Sequence, residues 1–374
     1  MQILHPVFTV SVLFMMAFSV MEGYQNQYKN YKEAWFVIMA LILFSGFRMN
    51  AGADYGSYTN MYQYYGLTAT YPQILEGATF RTTDIEVEWL FVLIGKVFFD
   101  LGMPFHYFSF FIAIISIIPK FYSFQKNSVY PALSWLLYMF PQYFTSDAGQ
   151  IRQGVAMGLV FLSLEFIKQR RLIPFLIVIY LSMSFHKSSV IFIPAYWFVR
   201  YNFNSRSILT VILICMALSP LKIFNYMDFL NSVAPEEIYA GYTDYIALQH
   251  SRGGVMFTDL LCLLYTYFLV MYDKQACAKI PYYEYGRNLT VAGICIYFIM
   301  RGSPIFSSRL TSIYLVFSAI ALPNAVAAVG NLQMRRYLYT TLLAFVVFYY
   351  FVYAEMQADK ANYTPGSYRN FIWS

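Results

Sequence analysis

Between residues 3 and 354 the chain alternates apolar runs with polar connections, and no connection offers enough apolar material for a separate soluble domain. The runs cover residues 3–21, 34–47, 88–102, 105–122, 129–145, 153–167, 172–185, 188–200, 207–220, 255–272, 289–300, 308–329 and 337–354. A membrane-spanning helix takes about 20 apolar residues, so the shorter runs must borrow flanking positions. Composition points the same way, with 59% hydrophobic and 12% charged residues. The pattern predicts an all-α polytopic membrane protein in which residues 1–374 form a single integral membrane domain. A β-barrel would instead show alternating segments of about ten residues. Residues 1–21 read as the first span and not as a cleaved signal, since no Lys or Arg precedes the run and no small-residue cleavage site follows.

Basic residues set the orientation. Lys120 and Lys126, then Lys168, Arg170 and Arg171, then Arg200 and Arg206, then Lys274, Lys279 and Arg287, then Arg335 and Arg336 fall in alternate connections. The positive-inside rule places these in the cytoplasm. The intervening segments 146–152, 186–187, 220–254, 301–307 and the tail after Met356 then face outside. Thirteen full spans would put 48–87 inside. That stretch holds Asp54, Glu76, Asp84 and Glu86 against only Arg48 and Arg81, while Lys29 and Lys32 lie in the connection before it. The parity is restored if 88–102 or 105–122 does not span fully; 88–102, with Lys96 and Asp100, suits a tilted or re-entrant piece. About twelve transmembrane helices result, with both termini outside and two longer outer loops, 48–87 and 220–254.

Composition also excludes some chemistry. The four cysteines, Cys215, Cys262, Cys277 and Cys295, show no CxxC spacing, so neither a zinc site nor a disulfide framework is expected. No basic run with interleaved aromatics suggests a nucleic-acid groove. Aromatics make up 21% of the chain. They suit the headgroup level of a bilayer, and tyrosines in loops also suit packing on sugar faces.

Against this background the charges near the ends of apolar runs stand out, because a charge near hydrocarbon costs roughly 2.5–3.5 kcal/mol and marks functional candidates. Arg48-Met49-Asn50-Ala51-Gly52-Ala53-Asp54-Tyr55 begins where an apolar helix ends. Gly52 permits a tight turn, and Arg48 and Asp54 can pair across it, either as a helix-end salt bridge or as a phosphate-binding Arg with an orienting carboxylate. Glu86 and Glu88 precede an apolar helix, where acidic groups interact favourably with the helix dipole. Burial of Glu88 would raise its pKa towards a useful base range. Arg152 and Gln153 enter a helix whose N-terminus can receive an anion, to which Arg152 adds a bidentate donor fork; lipid-headgroup snorkelling is the alternative for Arg152. His186 suits proton transfer near neutral pH, or a structural hydrogen bond, and no second His stands at metal-ligand spacing. Arg301 and Arg309 bracket a Gly/Pro break at Gly302-Ser303-Pro304. Arg252 lies in the second long loop.

As a set these stretches resemble the EpsG-like family of Wzy-type polysaccharide polymerases. Arg48 with Gly52-Ala53-Asp54-Tyr55 and Tyr58 resembles the family's R-x(3)-G-[TV]-D-Y-x(2)-Y signature, with Ala53 where Thr or Val is usual. The Glu86/Glu88 patch is similar, with Trp89-Leu90-Phe91 in place of the usual Gly and aromatic. Ile151-Arg152-Gln153-Gly154-Val155-Ala156 matches IRQ-x(2)-A, and Phe185-His186-Lys187-Ser188 matches FH-x-S. Ser308-Arg309-Leu310 with Tyr314 resembles the late SR-containing helix. Thr364-Pro365-Gly366-Ser367-Tyr368-Arg369 is similar to a terminal Pro/Tyr stretch with an insertion. The motifs occur in family order along the whole chain.

The resemblance implies a GT-C-like polymerase/ligase membrane architecture and a glycosyltransferase that works without metal, nucleotide or other cofactor. It implies polymerisation of undecaprenyl-diphosphate-linked oligosaccharide units, donor and acceptor alike, on the outer face of the bacterial inner membrane. Membrane lipids surround it, and a flippase and a chain-length regulator are candidate partners; nucleic acid is not. For that reaction Arg48, Arg152, Arg301 and Arg309 are the expected diphosphate ligands, since arginines stabilise charge on the leaving group. Tyr55, Tyr58, Gln153 and Arg252 are expected to hold sugars. His186, Asp54 and Glu88 are the candidates for the base, His186 first. An O-antigen ligase, or a flippase or transporter for the same lipid-linked sugar, is the alternative. A transporter would place its charges along a central path, whereas here most stand at the outer ends.

Overall fold

A computed structural model describes residues 2–25, 34–77, 80–82, 85–221, 255–301 and 304–373. About 78% of the chain is helical, and the protein is an all-α membrane protein. Among the described residues, Pro6–Tyr24, Phe105–Asn127, Ser307–Ala328 and Leu332–Met356 are long and apolar enough to cross a bilayer. Ala34–Gly46, Leu172–Met183, Ser205–Leu221 and Thr258–Met271 are shorter apolar helices. The chain forms two compact units. The first comprises residues 1–78, 88–187 and 331–374; the second comprises 79–87 and 188–330.

In the first unit the helices are α1 (Pro6–Gln25), α2 (Ala34–Gly46), α3 (Tyr55–Thr68), α4 (Tyr71–Leu75), α5 (Trp89–Asp100), α6 (Phe105–Asn127), α7 (Pro131–Tyr138), α8 (Ile151–Lys168) and α9 (Leu172–Met183). The chain kinks at Phe140 (φ −114°, ψ 110°) and a π-helical segment then runs to Asp147, while Leu332–Met356 follows after the second unit. Helix α1 packs on α2 and α7, α2 on α6, α6 on α8, and α8 on α9. The α6–α8 contact is close because α8 turns two glycines to its partner. A Cβ on Gly154 would lie 2.8 Å from Ser116 Oγ, and one on Gly158 would lie 2.7 Å from the Ser116 carbonyl oxygen. This G-x(3)-G spacing lets backbones approach where larger side chains would hold them apart. At the other end of α7, the Glu22 carboxylate of α1 accepts the Ala132 N–H at 3.0 Å with each oxygen. A carboxylate from a neighbouring helix thus satisfies a free amide at the start of α7.

The segment after Asn50 is folded, not an open loop. Gly52 takes φ +90°, and a Cβ there would meet the Ala148 carbonyl oxygen at 2.4 Å, so no other residue fits without displacement. Tyr58, Met61, Tyr62 and Tyr65 then form the buried face of α3, at the i, i+3, i+4, i+7 spacing of an amphipathic helix. The C-terminal tail closes over the turn. Arg48–Met49 pairs antiparallel with Arg369–Asn370. The Gly52 N–H donates to Ala361 O at 2.8 Å, and the Tyr363 hydroxyl donates to Ala148 O at 2.6 Å. The first and last motifs seen in the sequence are therefore one packed element.

In the second unit Ser205–Leu218, Val255–Met271, Tyr283–Met300, Pro304–Leu315 and Ser318–Ala328 pack together, and Phe80–Thr82 pairs with Ile85–Val87 in a hairpin. Three expectations need correction here or in the first unit. The run 188–200 is not one helix but a 3₁₀ segment, Lys187–Phe192, and a single α-turn, Ala195–Phe198; Pro194 follows the first and interrupts the run. Lys120 is not a cytoplasmic loop residue: α6 continues to Asn127, and Lys120 is fully buried beside Asp147. Arg287 likewise lies inside Tyr283–Met300, fully buried against Asp273. For both of these cations a carboxylate on another element supplies the partner that a hydropathy reading does not see. The loop 220–254, apart from its first two residues, lies outside the described residues.

Candidate active site

Tyr58, Glu88, Arg152 and His186 come from four separate elements of the first unit and meet around one carboxylate. Glu88 is the N-cap residue of α5, with extended backbone (φ −70°, ψ 140°), and its side chain does not cap its own helix. It turns to the first turn of α8, where Arg152 Nη1 donates to Glu88 Oε2. The other oxygen, Oε1, accepts the Lys187 N–H at 3.0 Å and lies 3.4 Å from His186 Nδ1. His186 is brought there by the end of α9, where the Phe185 and His186 amides both fold back onto Ser182 O, at 3.1 and 2.9 Å. Tyr58 completes the group. Its hydroxyl hydrogen-bonds Arg152, and the guanidinium carbon stands 6.0 Å from the centre of its ring.

The site is nearly closed but not sealed: side-chain exposure is 7% for Glu88, 12% for Arg152 and 15% for His186. Burial alone would push the Glu88 carboxyl up. The His186 hydrogen bond, the Arg152 charge and the Lys187 amide outweigh it and hold the pKa down at about 2. The expectation that burial would tune Glu88 towards a base is thereby reversed. A carboxylate so stabilised is a weak proton acceptor near neutral pH. It is well made for a different task, which is to fix the tautomer and direction of an imidazole and hold a guanidinium in place. His186 turns Nδ1 to Glu88 and Arg152 donates to the same carboxylate, so one carboxylate orients a group able to move a proton and a group able to bind an anion.

The other candidates of this unit fall nearby in the fold or serve the turn. Arg48 is buried; its Nε donates to Ala51 O at 2.9 Å and Nη1 to Ser109 Oγ at 3.1 Å and to Ser45 O. It does not pair with Asp54, which among the described residues has no ion-pair partner and sits half-exposed at the N-cap of α3. The reason is geometric: the turn closes on Arg48 from inside, through the carbonyls at both its ends. Tyr55 is half-buried beside the Arg48 guanidinium, 5.6 Å from its carbon. Tyr58 and Gln153 are buried, so Tyr58 offers no open ring face to a sugar. Glu86 lies on the hairpin strand Ile85–Val87, not on a helix.

In the second unit Arg301 follows the helix Tyr283–Met300, and its Nη2 donates to Asp259 Oδ2. Asp259 Oδ1 accepts the Tyr297 hydroxyl at 2.9 Å. Arg309 is exposed on Pro304–Leu315. Gly302, Ser303 and Arg252 lie outside the described residues. Sequence reading missed Asp259, Lys120 and Asp147. Asp259 sits inside an apolar run, and an intramembrane carboxylate with no basic neighbour in sequence was itself the signal.

Among curated proteins and solved structures, none matches the chain significantly. EpsG-like proteins are Wzy-type polymerases, and the motifs that build the Tyr58–Glu88–Arg152–His186 cluster all fall inside the matched region. The EpsG family model covers residues 34–366, and the chain therefore belongs to the EpsG family.

Proposed function

We propose that the protein joins undecaprenyl-diphosphate-linked oligosaccharide units by glycosyl transfer on the outer face of the bacterial inner membrane. The family supports polysaccharide polymerisation in general; the Arg152–Glu88–His186 arrangement carries the mechanism. A hydroxyl of the acceptor's non-reducing sugar attacks the anomeric carbon of the donor chain. Its proton passes to the His186 imidazole, and the bond from the anomeric carbon to the diphosphate breaks with its electrons on the leaving oxygen. Glu88 holds the imidazole and, through its second oxygen, the guanidinium. Arg152 bears on the charge that grows on the diphosphate, where a preorganised donor gives its largest effect. Arg48 acts by holding the turn that precedes α3. In the second unit, Arg301, oriented by Asp259, and Arg309 are assigned separately to anionic substrate.

The same reading carries about twelve spans, a GT-C-like fold, a single membrane domain, and the flippase and chain-length regulator as partners. It is tested with purified protein and lipid-linked repeat units. Rungs of two or more repeats on a gel are expected from the wild type, and none from Arg152→Ala. Translocation of single units without chain growth would instead identify a flippase. In cells, deletion should remove every rung beyond one repeat; if the single unit is still attached to its final acceptor, the protein is not the ligase.

A further inference from the structure

A second polar cluster meets α8 at Gly154, two residues along the chain from Arg152. From α6, Lys120 Nζ donates to Asp147 Oδ1, to Ser116 Oγ at 2.9 Å and to Gly154 O at 2.7 Å. Asp147 Oδ1 also accepts the Ser116 hydroxyl, and Oδ2 accepts the Tyr138 hydroxyl at 2.6 Å. Lys120 and Asp147 are both 0% exposed. All three ammonium donors and both carboxylate oxygens are used. Such a pair is a poor source of stability, because well-packed apolar replacements are often neutral or better. What it does specify is geometry. Asp147 ends the π-helix and Gly154 lies in the first turn of α8. One ammonium therefore ties down both sides of the connection that carries Arg152. Gly154 and Gly158 bring α6 close enough for it to reach.

We propose that Lys120 and Asp147 are positioning residues for Arg152, setting where its guanidinium meets Glu88; the consequence for chain growth rests on the polymerase reading above. They touch no substrate. Ser116 and Tyr138 support them by completing the Asp147 hydrogen bonds.

The test is the paired apolar variant Lys120→Met with Asp147→Leu, examined by thermal unfolding, by geometry and by chain growth. Geometry is read in a Glu88→Cys, Arg152→Cys background, with a short bis-methanethiosulfonate crosslinker and mass-spectrometric identification of the 88–152 link. Unfolding temperature is expected to stay near that of the wild type or fall slightly, since Tyr138 and Gly154 lose a partner, the crosslink to be lost, and chain growth, measured in the paired variant without the two cysteines, to fall about a hundredfold, as for a misplacement of about 1 Å. An 88–152 link as strong with the paired change as in the two-cysteine protein without it, together with wild-type chain growth in the paired variant, would overturn the proposal. If the paired variant does not fold, Tyr138→Phe removes one Asp147 bond, and should weaken crosslinking and growth in parallel; no change in either is again fatal. An 88–152 link in the Glu88→Cys, Arg152→Cys protein that is lost in the paired variant, together with a wild type that grows no chains, counts against the polymerase reading and leaves the positioning role standing.

Discussion

Arg152 and Glu88, 64 residues apart in the chain, form an ion pair whose carboxylate also faces His186. The pair makes three motifs, each weak alone, into one device. Removing the negative charge should uncouple them. Glu88→Gln keeps the shape but cannot hold an imidazolium or balance the guanidinium, and chain growth should fall about a hundredfold, within the range for loss of general-base assistance. His186→Ala should fall at least as far. The double variant should be no slower than His186→Ala, because residues acting as a unit are not additive. Additive losses, measured as rates of ladder extension, would separate Glu88 from the base function.

The depressed Glu88 carboxyl also predicts an acid response. Its folded-state value, about 2, lies below the ordinary 4.5. The unfolded chain therefore binds this proton first as pH falls, and the native state loses relative stability. The contribution of Glu88 is complete above about pH 4.5, declines below it, and is gone once pH has dropped through about 2. Unfolding temperature of the detergent-solubilised wild type should decline over that window. In Glu88→Gln this part of the decline should be missing, and an identical pH profile for both proteins would show that Glu88 is not so held.

Much of this was legible in the sequence, and the failures have a common form. Helix positions followed from hydropathy: Ala34–Gly46 and Leu172–Met183 fall almost where the apolar runs do. Arg48, Glu88, Arg152 and His186 were visible because charge is rare in such a chain. Their partners were not, since pairing depends on which helices touch. Lys120 read as a loop lysine because Asp147 is 27 residues away. The 48–87 segment read as a loop because its tyrosines are interspersed with polar residues; the surface α3 buries against, Phe91 and Phe99 of α5 and Phe105 and Phe108 of α6, lies about 30–45 residues further along the chain.

Closure of the tail over Gly52 makes Gly52→Ala a sharp probe. The substitution puts a side chain at φ +90° and a Cβ 2.4 Å from Ala148 O. A cost of about 1–3 kcal/mol is expected for the backbone strain alone, with more from the displaced contact. The variant should unfold at lower temperature, and limited proteolysis should release the tail near Ala361 first. Unchanged protease resistance of the tail would mean that it is not seated through this turn.

Two arginines from the same expected set should behave in opposite ways. Arg48 is buried, with its donors on Ala51 O, Ser45 O and Ser109. Arg48→Ala leaves those acceptors inside the protein without a donor, at roughly 1–3 kcal/mol each, so unfolding temperature and protein yield should drop. Arg309 is exposed and, among the described residues, holds no ion pair. Arg309→Ala should alter stability by no more than about 0.5 kcal/mol. Its effect, if the residue meets the lipid-linked diphosphate, is on donor use: a higher KM for the lipid-linked unit and weaker growth at low donor, partly recovered at high donor concentration. Arg309→Lys should restore part of that loss, since a point charge still attracts phosphate without the planar fork. An Arg309→Ala protein with wild-type donor KM would remove Arg309 from the substrate site, while loss of stability in that variant would place it with Arg48 among the residues that hold the fold.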